Sequence, residues 1–230
     1  LQFGNGGDLQ FYHTGGIGVL YNNTGDFRFR QNANDKDIVF QCDDGSGGVT
    51  AYLTLDGSRA DGTYTYTTLP DSGVMAFGAS VDMQLYHNAT DSIIRNNTGD
   101  LKIINYANDK DIIFQSDDGS GGVETYFYLD GSMSSGNPRT IFPDNSVLGL
   151  GTGADLQLYH DGSNGVIQNL TGSLTIQSTT DDSDVILRSD DGSGGLAAYL
   201  TLDGSVGYTQ AHKQIRFADS VEAQFGGIAD

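Results

Sequence analysis

Three in-register copies of one motif limit what this chain can fold into. Asp-Leu-Gln-Phe-Tyr-His at 8–13 returns as Asp-Met-Gln-Leu-Tyr-His at 82–87 and as Asp-Leu-Gln-Leu-Tyr-His at 155–160. The spacings are 82 − 8 = 74 and 155 − 82 = 73 residues. Self-similarity at a fixed period marks a repeat array, in which neighbouring units supply one another's core. Residues 3–8 and 77–82 match 225–230, so Asp230 is expected to open a further copy. The array then divides into 1–7, the end of a preceding repeat; 8–81, 82–154 and 155–229, three β-repeats; and 230, the start of another. Matching phase at both ends is what an excerpt from a longer array would have.

Within each copy the apolar residues alternate. Asp8 to His13, Ile17 to Tyr21, Phe27-Arg28-Phe29-Arg30, Ile38 to Phe40 and Ala51 to Leu55 read as short strands. Leu101-Lys102-Ile103 and Leu174-Thr175-Ile176 are the counterparts of the third of these. Period 2 puts successive side chains on opposite faces, as in half-buried strands, and no segment has a sustained 3.6-residue period. Turn residues separate the strands. Asn-Asn-Thr-Gly-Asp at 22–26 and 96–100, relaxed to Asn169-Leu170-Thr171-Gly172-Ser173, places Gly where a positive φ is needed. Asp-Asp-Gly-Ser-Gly-Gly at 43–48, 117–122 and 190–195 is invariant, as is Leu-Asp-Gly-Ser at 55–58, 129–132 and 202–205. The intervals 58–74, 133–146 and 206–220 vary, and they are expected to be junctions or exposed loops. The fold class is all-β.

Composition bears on how such an array is held together. Hydrophobic residues make up 37% of the 230, with 33 Gly, 3 Pro and no Trp. One copy of the chain is therefore expected to lack a large core of its own. The net charge of −19 repels phosphate backbones and anionic lipid, which argues against nucleic-acid partners. No apolar run approaches the roughly 20 residues of a membrane-spanning helix, so membrane insertion is not expected.

The candidate sites are turns and loops. Asp43, Asp44, Asp117, Asp118, Asp190 and Asp191 offer hard oxygen ligands of the kind Ca²⁺ takes, but neither the calcium-binding nonapeptide nor the spaced Asp-x-Asp-x-Asp-Gly loop is present. Asp-Gly is also a favoured hairpin turn, so plain turns are the preferred reading and no cofactor is expected. His13, His87 and His160 recur in register and could form imidazole rings on a threefold axis; strand-end Tyr-His pairs are the simpler reading. Cys42 aligns with Ser116 and Ser189, which fits a small strand-end residue better than a redox centre. There is no Gly-x-Ser-x-Gly elbow, P-loop or Cys/His zinc spacing, and every acidic pair recurs, so an enzyme is not expected. Tyr64, Tyr66 and Tyr208 in the variable intervals offer ring faces for sugars.

Asp-Leu-Gln-Leu-Tyr-His-Asp-Gly-Ser at 155–163, Thr-Gly-Asp-Leu at 98–101 and Asp-Ile-Ile-Phe-Gln-Ser-Asp-Asp-Gly-Ser-Gly-Gly at 111–122 resemble repeat regions of bacteriophage tail fibres and tailspikes, especially those of marine phages. The resemblance runs over almost the whole chain. It implies a homotrimeric, extended β-fibre in the virion tail, outside the cell, joined to other tail proteins and adsorbing to a host surface glycan or protein. Two other functions stay open at the level of sequence: a secreted bacterial adhesin or matrix filament, and a glycan-depolymerising tailspike. So does a second architecture, a single-chain β-solenoid or pseudo-threefold β-unit.

Overall fold

A computed structural model describes residues 1–133 and 136–224. The matching segment 225–230, on which the fourth copy was read, lies outside them. The chain divides into two units, Leu1–Ile103 and a second from Ile104 onward. Among the described residues all eighteen elements are strands, and every sheet is a three-stranded antiparallel meander of consecutive strands. The first unit holds β1 (Gln2–Phe3), β2 (Leu9–Thr14) and β3 (Ile17–Asn22); β4 (Ile38–Asp43), β5 (Val49–Asp56) and β6 (Tyr66–Thr68); and β7 (Val74–Phe77), β8 (Met83–His87) and β9 (Ser92–Asn96). The second holds β10 (Ile112–Asp117), β11 (Val123–Asp130) and β12 (Arg139–Ile141); β13 (Leu148–Leu150), β14 (Leu156–His160) and β15 (Gly165–Asn169); and β16 (Val185–Asp190), β17 (Leu196–Asp203) and β18 (Tyr208–Ala211). No sheet closes into a barrel.

The pairings follow the alternation read from the sequence. Ile38 faces Leu55, and Ile112–Leu129 and Val185–Leu202 repeat that pair. A β-bulge falls at the same place in all three, between Phe40 and Gln41, Phe114 and Gln115, and Leu187 and Arg188. One extra residue there reverses which face the following side chains occupy. In the other type of sheet the first strand pairs across the seam of the motif. Phe3 faces Leu9, Phe77 faces Met83 and Leu150 faces Leu156. The variable intervals are not wholly loop, because each contains a third strand: β6, β12 and β18.

One expected element is missing in every copy. Phe27–Arg30, Leu101–Ile103 and Leu174–Ile176 alternate as strands do, yet no ladder forms there. Alternation gives a segment two faces; it does not supply a partner, and no strand within either unit pairs with these segments.

The meanders enclose no core. Among the described residues no apolar side chain is buried, and Thr201 is the one buried polar side chain. Within each unit, strands approach only strands of their own sheet. The accessible area is 18524 Å². A compact body of this mass would expose about 10,000 Å², and two bodies of half the mass about 12,000 Å². The uncovered area includes whole sheet faces. Register puts Phe3, Leu9, Phe11 and Leu20 on one side of the first sheet, and Leu148, Leu150, Leu156, Leu158 and Ile167 on one side of the fifth.

Candidate functional site

The invariant acidic turns are closed by their own backbones. Asp44 Oδ1 accepts hydrogen bonds from Ser46 N–H (2.8 Å), Ser46 Oγ (2.8 Å) and Gly48 N–H (2.9 Å). Asp118 does the same with Ser120 and Gly122, and Asp191 with Ser193 and Gly195. The preceding carboxylates of Asp43, Asp117 and Asp190 each accept the N–H two residues on, from Gly45, Gly119 and Gly192 at 2.8 Å. The three bonds to each of Asp44, Asp118 and Asp191 favour the ionised form. Asp44 is held below the ordinary carboxylate range, most by the Ser46 N–H; Asp118 and Asp191 are too, most by the Ser120 and Ser193 hydroxyls. Among the described residues no three Asp, Glu, His or Cys side chains converge as a metal site.

The Leu-Asp-Gly-Ser turns are tied across the sheet. Gly57 N–H donates to Asp37 Oδ1 at 2.9 Å, Gly131 to Asp111 and Gly204 to Asp184 at the same distance. A Cβ on any of these glycines would collide with the backbone oxygen of Lys36, Lys110 or Ser183. The Asn-Thr-Gly turns also recur to the bond. The side-chain amides of Asn22, Asn96 and Asn169 each reach the carbonyls two and three residues on, and Gly25, Gly99 and Gly172 have φ of 64°, 67° and 67°.

Sequence reasoning passed over a tyrosine that these turns position. Tyr52, Tyr126 and Tyr199 donate their hydroxyls to the carbonyls of Asp43, Asp117 and Asp190 at 2.8, 3.1 and 2.7 Å. The fixed step of nine residues from acid to tyrosine was the available signal. Two of these rings line open clefts. Tyr52 shares about 470 Å³ with Asp44, Pro70 and Asp71, and Tyr126 about 560 Å³ with Asp118, Glu124, Pro143 and Asp144. Beside the third ring the Lys213 ammonium lies 5.9 Å from the Tyr199 centroid.

The other candidates are dispersed. Tyr64 is 65% exposed in the loop before β6, Tyr66 opens β6, and Tyr208 opens β18 in the other unit. The three histidines have different surroundings. His160 Nδ1 lies 2.8 Å from Asp144 Oδ1, His87 Nδ1 lies 3.3 Å from Ser92 Oγ, and His13 pairs with Gly18 one residue before the end of β2. Cys42 is exposed and faces Thr50. Among the described residues no helix is long and apolar enough to cross a membrane. Comparison of the chain with protein-family models, curated proteins and solved structures found no match.

Proposed function

We propose that this chain is a structural and host-contacting segment of an extended fibre, of the bacteriophage tail-fibre kind, assembled from three copies of itself. The observation that carries the reading is the absence of any buried apolar side chain among the described residues, beside sheet faces that carry rows of exposed or half-exposed apolar residues. Burial of apolar area is the dominant favourable term in folding. A chain that covers none of it alone needs company, and repeats that stack or wrap provide it. The conserved carboxylates support the same reading, because the invariant turns use them as caps. The resemblance of the motifs at 98–101, 111–122 and 155–163 to tail-fibre repeats supports a position on a virion tail, next to other tail proteins. Contact with a host glycan or protein then falls to the exposed variable loops, with Tyr64, Tyr66 and Tyr208 as its candidates. Weak contacts repeated along a fibre and among fibres add through effective concentration.

The test has two arms. Light scattering of the purified chain should give a species near three times 24.4 kDa, about 73 kDa, and not the 24.4 kDa monomer. A stable monomer overturns the trimer. Proteomics of purified phage particles should find this polypeptide among tail components; its recovery from a bacterial secretome instead would assign it to an adhesin or matrix filament.

A further inference from the structure

The three segments that alternate without a ladder are the feature that the fibre reading leaves unexplained. Residues 26–32, 100–106 and 173–179 each run without turn or bend, and none of them has a positive φ. Among the described residues their backbone N–H and C=O groups meet no hydrogen-bond partner. On an extended chain Phe27 and Phe29, Leu101 and Ile103, and Leu174 and Ile176 each share a side, and all six are open, as is Ile104 on the opposite side. Phe27 and Phe29 are 45% and 60% exposed, Leu101 and Ile103 49% and 60%, and Leu174 and Ile176 46% and 62%. The Phe27 and Phe29 rings touch edge to face at 4.8 Å, as residues two apart on an extended chain do.

We infer that Phe27–Arg30, Leu101–Ile103 and Leu174–Ile176 are donated strands, each adding to a sheet edge of another copy of this chain. The inference rests on the proposed self-assembly and names the surface that makes it. Strand addition satisfies a row of main-chain groups at once, and alternate side chains enter the partner's apolar face. Spacing selects the partner. The segments stand 101 − 27 = 74 and 174 − 101 = 73 residues apart, the same steps as the sheets themselves. A receiving molecule must present three edges at that interval, and a second copy does. Area agrees, since the chain exposes at least about 6,000 Å² more than compact bodies of its mass, whereas a standard interface covers about 800 Å² per partner. Charge agrees as well. Between Phe27 and Arg30, Leu101 and Ile103, and Leu174 and Ile176 there are three cations, Arg28, Arg30 and Lys102, and no carboxylate. Asp26, which pairs with Arg28 at 2.7 Å, and Asp100 stand just before the first two, so the donated stretches themselves add no negative charge to an acidic partner.

Hydrogen exchange on the purified chain, with its mass measured in the same buffer, tests the inference. In a multimer, at least alternate amides within each segment should exchange about 100-fold or more slowly than in an unstructured peptide. A multimer whose amides in these segments all exchange at unstructured rates overturns strand donation and leaves the fibre reading standing. A monomer overturns both.

Discussion

Asp44, Asp118 and Asp191 show what much of the negative charge is for. Each gathers three donors from its own turn, and Asp56 and Asp130 are likewise held below the ordinary carboxylate range, Asp56 most by the Ser58 hydroxyl and Asp130 most by the Met133 N–H. A carboxyl whose pKa is lower in the folded state than the roughly 3.9 of an unfolded chain stabilises the fold above that value. That stabilisation is lost as the pH falls through the folded pKa. The melting temperature should therefore be level from about pH 5 to 8 and drop below about pH 4. Replacing Asp44, Asp118 and Asp191 together by Asn should lower it at neutral pH and flatten the acid limb; an unchanged acid limb would show that these turns do not set it. Because each turn already spends one oxygen of each carboxylate on its own N–H and hydroxyl groups, and no third ligating side chain converges there among the described residues, melting curves in chelator and in millimolar Ca²⁺ should coincide. Gly57→Ala should cost about 1–3 kcal/mol, since the new methyl meets the Lys36 carbonyl and not a side chain that can swing aside. Cys42→Ser, by contrast, should change stability by less than about 0.5 kcal/mol, as expected of an exposed position that is Ser in both sister copies. Denaturant titration measures both.

At the scale of elements, the alternating stretches at Leu9–Thr14, Ile17–Asn22, Ile38–Asp43 and Val49–Asp56 were legible, because period 2 and Gly-rich turns specify a strand locally. Two things were not. β6, β12 and β18 sit in the variable intervals because a third strand is held by its ladder to β5, β11 or β17 and needs little of its own pattern. Phe27–Arg30 errs the other way, having the pattern and no ladder. The acidic turns were legible as turns, but the role of the tyrosine they hold was not, since its recurrence nine residues on marks a repeated position without saying that its hydroxyl reaches back to a carbonyl. Tyr52→Phe, Tyr126→Phe or Tyr199→Phe should each lower stability by about 0.5–1 kcal/mol through loss of that bond. No loss in any of the three would mean that solvent replaces the carbonyl at no net cost.

For the whole molecule, an open set of meanders and a net charge of −19 pull in opposite directions. The apolar faces favour association of copies, and like charge opposes it. Their placement decides the outcome, because the invariant carboxylates lie at turns and strand ends, while the apolar residues are gathered on sheet faces and in the unladdered segments. Unfolding of such an assembly is linked to dissociation, so its melting temperature depends on concentration. For a trimer, a tenfold rise in concentration adds about 0.9 kcal/mol per chain, which for a chain of this length raises the midpoint by about 2–4 °C. Added salt should raise it further by screening the turns from one another, over a Debye length of about 8 Å at physiological ionic strength. Calorimetry at three concentrations and two ionic strengths reads both effects. A reversible transition that stays fixed across all six conditions would mean that one chain folds alone, and that its exposed sheet faces need no second copy.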